Sequence, residues 1–412
     1  AVYTPAFDGT NSATVNIESG AAGAVVRLLS KNVGTDEHTL ALNASGTGTL
    51  TIDFVEAVDF VTIAAGSIIS GFDTIVVVRG TLDFSAITLP PSITVIQVGS
   101  GVILSFSQFE ALTRVELRDG ATSGELQVEG SLLQSQSVAS SSKVEAGIVV
   151  SVVVNELISV AQANVLAPSV NGVVTATISD TDAATLATLT ETGNAYTITV
   201  TGAATAAQLN AIDAATTVVV NATGVTAITG TASAIATAIS SAGIDTAPGV
   251  GVTVDAGSAA AADLNTIDTN TTAVVNATGV TTITGTATQF ATLVAAATAV
   301  PATITLAGNF TATVTDPVSV SAVNALAALT TGIVTATITE GDMATLAGLT
   351  GTGNAYTVTV TDASVDAAAL NALDGKTTVI VIATAVGTLT GAAADVATAI
   401  SATTIDTAAN VA

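Results

Sequence analysis

Aspartates at recurring positions are the residues best placed to do chemistry in this chain. Asp180, Asp182, Asp255, Asp362 and Asp366 fall where predicted strands end, and Asp213, Asp268 and Asp374 where predicted short helices end. Ca²⁺ takes several oxygen ligands, clustered carboxylates among them, so the first five are candidate ligands for weak, bridging Ca²⁺. There is no DxDxDG loop and no GGxGxD nonapeptide, so the spacing favours the other use of these residues, as helix caps and turn formers. Threonine offers a second chemistry. At Thr175 and Thr177, at Thr197, Thr199 and Thr201, and at Thr357, Thr359 and Thr361 it alternates along predicted strands, the pattern of an outward array able to order water and bind ice. Ordinary β-propensity with a polar outer face gives the same pattern, and repeats of unequal length do not favour a regular grid. Asn43, Asn221, Asn276 and Asn309 open Asn-X-Ser/Thr triplets, formal glycosylation acceptors that a Thr-rich chain also produces by chance.

The equipment of an ordinary enzyme is sparse. The 412 residues include no Cys, no Trp, one Met and one His, His38, which stands in a polar Thr-Asp-Glu-His segment. Thiol chemistry, metal–thiolate sites and His-based catalysis therefore lack their residues. A polysaccharide lyase site needs acidic residues with Lys, Arg or Tyr around a groove, and after Lys143 the only basic residue is Lys376. The expectation is a protein that is not an enzyme. Thirty-two acidic against seven basic residues give a formal charge of −25, which excludes binding to a phosphate backbone. With 49% hydrophobic residues and a mean hydropathy of +0.70, the chain has too much apolar surface to stay disordered. Polar residues interrupt every apolar run, so no membrane span is expected.

What must position these residues is a set of internal repeats. GVVTATISDTDAATLATLTETGNAYTITVT from Gly172 returns from Gly332 as GIVTATITEGDMATLAGLTGTGNAYTVTVT, and VVNATGVTAITGTA from Val219 returns from Val274 as VVNATGVTTITGTA. The smallest unit centres on Asn210, Asn265, Asn371 and, in a degenerate copy, Asn324. Six residues after each Asn a Thr-Thr pair begins, at Thr216, Thr271, Thr377 and Thr330. The unit is a coil of roughly 22 to 30 residues, in the range of stacked repeats. Period-two alternation, as in Tyr196-Thr-Ile-Thr-Val-Thr, predicts a strand. An Asp or small polar residue then caps an Ala-rich helix with apolar residues three apart, such as Leu209 and Ile212 or Leu370 and Leu373. The coils Val218 to Gly249 and Val379 to Thr404 have room for two short strands before the helix.

One strand and one short helix cannot bury their own apolar faces, so the expected fold is a β-rich repeat solenoid. It consists of parallel β-strand coils with short helices on one side, a β-helix or a leucine-rich-repeat-like α/β solenoid. Residues 148–412 form the regular region. Residues 1–147 hold all the arginines and most Phe, and read as a less regular continuation. In that region the spacing predicts strands at Thr49 to Phe54, Thr74 to Val78 and Ser92 to Val98, a turn at Pro90-Pro91, and a capped helical turn in SQFEALT between two strands. The Ser- and Gln-rich stretch 131–146 reads as a linker or irregular coil. The repeat around Ser240 returns near Ser401 and stops without a polar capping coil. That is expected of a piece of a longer array, or of an end covered by another subunit.

The blocks SDTDAATLATLTETGNAYTITVT, QLNAIDAATTVVVNATGVTAITGTA and ALNALDGKTTVIVIATAVGTLTGAAADVATAI, within residues 172–412, resemble the Ala/Thr/Val-rich repeat regions of giant secreted bacterial surface and adhesion proteins, especially cyanobacterial ones. The resemblance implies secretion by a type I route, an extracellular or cell-surface place, calcium association and a role in an S-layer, filament or adhesin stalk. It carries over no catalytic residue, and the chain lacks the Gly–Asp nonapeptides of the calcium-binding members. The function expected is structural, with self-association through solenoid ends or stacking on neighbouring coils of a longer array. The alternative is a carbohydrate- or surface-binding adhesin module in residues 1–147, where Arg27, Arg79, Arg114, Arg118 and the Phe residues concentrate, with a cell-surface polysaccharide as partner.

Overall fold

The computed structural model describes residues 2–3, 12–28, 37–54 and 60–412. It is an α/β structure of parallel strands in long sheets joined by short helices, and it divides into two compact units. The first comprises Ala1–Thr181, Thr188–Thr199 and Ala214–Val219; the second comprises Asp182–Ala187, Val200–Asp213 and Val220–Ala412.

A 13-stranded sheet organises the first unit. Its long strand Glu37–Phe54 pairs near its start with Phe60–Ile63 and farther along with Ile68–Val77, so two arms leave it. One arm passes through Thr81–Asp83, Gly101–Ser105, Gly124–Gly130, Ile148–Ile158 and Val174–Ile178 to Ala195–Thr197; the other passes through Val95–Val98 to Arg114–Leu117. Period-two alternation sends the β-branched and Leu side chains inward, and parallel pairing sets like on like. Leu104, Val128, Val152 and Val174 form one buried column, and Leu50, Ile75, Ile96 and Val115 another. Each such side chain contributes about 1.5–3 kcal/mol of burial, which only a neighbouring repeat can supply. The sequence boundary at 147/148 lies between Gly124–Gly130 and Ile148–Ile158, which pair in register from Gly124↔Ile148 to Gly130↔Val154.

The second unit has a six-stranded sheet containing Val220–Gly230, Gly251–Val254, Val275–Ala277 and Ile304–Leu306. A five-stranded sheet runs from Gly257–Ala260 through Val280–Gly285, Thr311–Val314 and Val334–Thr337 to Ala355–Thr357. Ala259, Ile283, Ala312 and Val334 make its buried column. The helices Ala232–Ser240, Ala261–Asn270, Ala287–Thr298 and Val320–Ala327 touch in chain order.

The parallel, β-rich part of the sequence reading stands. SQFEALT supplies the helix Phe106–Ala111 between the strands Gly101–Ser105 and Arg114–Leu117, and the Ile93 N–H closes the Pro90-Pro91 turn on the Pro90 carbonyl. The predicted strands near Thr74 and Ser92 are Ile68–Val77 and Val95–Val98. Two short strands do occur in the last long coil, as Val381–Ala383 and Thr388–Thr390. In the earlier copy they fuse into Val220–Gly230, whose first part pairs with Ile244–Thr246 and whose last part pairs with Gly251–Val254. The stretch 131–146 is not all linker. It holds the helix Leu132–Ala139, because Ser131 and Gln134 form a reciprocal capping box that satisfies two backbone N–H groups.

Tyr196 and Tyr356 occupy equivalent places in the long duplication and are 1% and 0% exposed. Burial pushes both hydroxyls up to about 12, with Glu191 adding to the effect at Tyr196. A folded-state value raised above the ordinary 10 adds stability that is complete below pH ~10 and lost as pH rises towards ~12. Absorbance at 295 nm against pH, read beside circular dichroism, should show these two of the chain's three tyrosines ionising only as the fold is lost. Ionisation near pH 10 with the fold intact would contradict this packing.

Candidate functional site

Four of the five candidate Asp residues serve helix starts, where backbone N–H groups lack intrahelical acceptors. Asp182 and Asp366 cap their own helices, Ala183–Leu186 and Ala367–Asp374, accepting from the N–H of Thr185 at 2.8 Å and of Ala369 at 3.0 Å. Asp180 and Asp362 reach back one repeat. Asp180 accepts from the Val160 N–H at 2.7 Å and Asp362 from the Met343 N–H at 2.6 Å, each the first residue of the preceding helix. Three residues outside the candidate set do the same: Glu156 for Leu132, Asp316 for Ala287 and Glu340 for Val320. At the helices Ala206–Ala215 and Ala261–Asn270 a glycine follows one repeat on in place of this carboxylate. A Cβ on Gly285 would come within 2.8 Å of Ala261 Cβ, and one on Gly230 within 3.3 Å of Ala206 Cβ, so the next repeat's backbone itself covers the helix start. Asp255 donates its backbone N–H to the Gly230 carbonyl, one repeat back.

Among the described residues no three His, Cys, Asp or Glu side chains group closely enough to hold a metal ion. The carboxylates proposed for Ca²⁺ are spread over three repeats with at most two in any one, and four of them already accept backbone N–H groups. They do not fit a dedicated metal site.

The repeated Asn and Thr residues are used in the same way. Asn164, Asn210, Asn265, Asn324 and Asn371 each donate the side-chain amide to a carbonyl 24 residues on, at 2.8–3.1 Å. The first Thr of each pair donates its hydroxyl to the preceding repeat: Thr216 to the Tyr196 carbonyl, Thr271 to Val250, Thr330 to Phe310 and Thr377 to Tyr356. The second Thr donates its backbone N–H to Asn194, Pro248, Gly308 and Asn354 respectively. The outward threonines line up only in short runs: Thr284, Thr313 and Thr335 share a column that ends in Ala260 and Ala355, while Thr175 faces Ala195 and Thr359 faces Ile382. Asn221 and Asn276 fold their side-chain oxygens onto the Thr223 and Thr278 hydroxyls at 2.7 Å, closing turns.

A hollow of about 470 Å³ in the first unit gathers polar groups that face outward. Gln97, Arg114, Glu116, Asp119, Lys143 and Glu145 line it. The alternation of Arg114–Leu117 puts Arg114 and Glu116 on one face, where they form an ion pair, and Gln97 Nε2 on the neighbouring strand donates to the second Glu116 oxygen at 3.3 Å. Glu145 Oε2 accepts from the Leu117 N–H at 2.7 Å, and Lys143 Nζ donates to the Glu110 carbonyl at 2.8 Å while lying 5.4 Å from the Phe109 ring centre. Arg79 instead forms a two-point pair with the buried Asp53. His38 and Arg27 lie on strands, with side chains outside the described ones. The sequence signal for this hollow was the concentration of arginines before residue 147; the contribution of Gln97 and Glu145 carried no local signature.

The Asp182 carboxyl is held below the usual range by the Thr185 N–H and hydroxyl, and that of Asp342 by the N–H and hydroxyl of Thr345. A depressed folded-state value gives stability that is present above the unfolded value and lost as pH falls through the folded one. Asp182→Asn with Asp342→Asn should therefore flatten the loss of thermal stability below about pH 4, measured by calorimetry. Asp362→Ala, which strips the first N–H of the preceding helix of its acceptor, should cost about 0.5–2 kcal/mol near neutral pH; no loss would refute the capping role.

No family model, no curated protein and no solved structure matches this chain.

Proposed function

We propose that the chain is a structural protein, a strand–helix solenoid segment of an extracellular surface layer, filament or adhesin stalk. The observation that carries this reading is the 24-residue Asn contact, made five times, together with the Thr pairs and carboxylates that join each repeat to the next. The polar side chains that recur with the repeat are spent on holding repeats together, which is what a spacer requires. In-register parallel columns support the solenoid part, since each repeat offers the next the same apolar rung. The resemblance of residues 172–412 to secreted bacterial repeat regions supports the extracellular part. A charge of −25 opposes side-by-side aggregation while leaving strand-to-strand addition between copies as the route to assembly. No helix among the described residues is long and apolar enough to cross a membrane.

Electron microscopy of the purified chain, with and without millimolar Ca²⁺, tests this. The expected images are rods or end-to-end fibres, and order that grows with Ca²⁺ would add bridging calcium to the reading. Asn265→Ala with Asn371→Ala should shorten the fibres and lower the midpoint of unfolding, because each change leaves a helix-to-helix carbonyl without its donor. Compact particles that never associate would overturn the proposal.

A further inference from the structure

We propose that the hollow lined by Gln97, Arg114, Glu116, Asp119, Lys143 and Glu145 is a binding site for a neutral, polyhydroxylated glycan. The inference goes beyond the structural role, because these side chains do not recur with the repeat and, while Lys143 and Glu145 also bond to earlier segments, Arg114 and Asp119 remain exposed.

Charge and geometry select the ligand class. Three carboxylates and two cations line the hollow, so an anion such as phosphate or a uronic-acid polymer would face a net negative wall. A metal ion lacks a group of three ligating side chains among the described residues. An extended peptide cannot add as a strand beside Arg114–Leu117, because Val95–Val98 covers one edge and the Val115↔Val144 bridge the other. Sugar hydroxyls both donate and accept, and the hollow offers both kinds of partner. A guanidinium has five N–H donors and a carboxylate about four acceptor sites, so Arg114 and Glu116 retain capacity after pairing with each other. Glu116 is fixed at both oxygens, by Arg114 and Gln97, and Glu145 by the Leu117 N–H, so these groups are ordered before a ligand arrives. The volume suits a few sugar rings. A second hollow of about 280 Å³ shares Val144 and Glu145, which extends the surface for an oligomer rather than a single ring.

The full chain is to be screened at millimolar ligand on an array of neutral oligosaccharides, with oligogalacturonate, inorganic phosphate and an extended peptide as competitors, and hits followed by calorimetry. The expected result is binding of a neutral oligosaccharide that Arg114→Ala and Asp119→Ala each weaken about tenfold or more, with the circular dichroism spectrum and melting midpoint unchanged. Both residues are exposed, so these variants fold. Failure of every neutral glycan to bind overturns the proposal. So does binding indifferent to both substitutions, or tighter binding of oligogalacturonate, phosphate or peptide. Fibre formation is read separately by microscopy, so loss of one reading leaves the other standing.

Discussion

The N–H groups at the start of a short helix have no acceptor within that helix, and at five helices of this protein a carboxylate of the next repeat supplies one. An isolated repeat would leave those groups, its strand edges and its apolar face to water. A parallel neighbour answers all three at once: it pairs the strand, covers the Val and Ile side chains and places a carboxylate or a close backbone at the helix start. Short helices are marginal by themselves, so the neighbour's contribution decides whether they form. This is why the helices Val160–Leu166 and Met343–Leu346 hold although they are only seven and four residues long.

The same constraint explains a composition that looks unsuited to packing. With few aromatics, the core relies on columns of Val, Ile, Leu and Ala in which like sits on like, and small side chains let helices approach within reach of an Asn amide. Some of the acidic residues are used at helix starts, where carboxylates are good acceptors for N–H groups and are favoured by the positive end of the helix dipole. Glycine is the alternative at the same position, since Gly230 and Gly285 admit contact that a Cβ would block.

Much of this was legible in the sequence because the repeat forces polar residues to recur. Asn210, Asn265, Asn324 and Asn371 marked the helix-to-helix contact, and the Thr-Thr pairs marked the stitched turns, although their spacing alone did not say what they bonded. Asn164 escaped notice because its repeat lacks the Thr-Thr pair. The helix Leu132–Ala139 was hidden by composition: Ser and Gln suggested a linker, whereas Ser131 and Gln134 at a three-residue spacing were a capping box. Ser105 with Gln108, Ser159 with Gln162 and Thr286 with Gln289 carry the same signature. Asp182 and Asp366 bond three residues on, within reach of a local cap pattern, whereas the partners of Asp180, Asp316 and Asp362 lie 19 to 29 residues away, beyond any local pattern, which left a metal-ligand reading open beside the capping one.

Where the repeat is regular, polar side chains are turned along the stack and used up there. In the first unit the arm ending at Arg114–Leu117 follows a different rule. Its pairing partner is the short, irregular segment at 143–145, joined by the Val115↔Val144 bridge and not by a full strand. A partial rung leaves its neighbours' outward side chains uncovered, and these are a mixture of both charges held by one another. Irregularity here has a chemical consequence: the break in stacking leaves open a polar surface whose side chains are not covered by a further full strand.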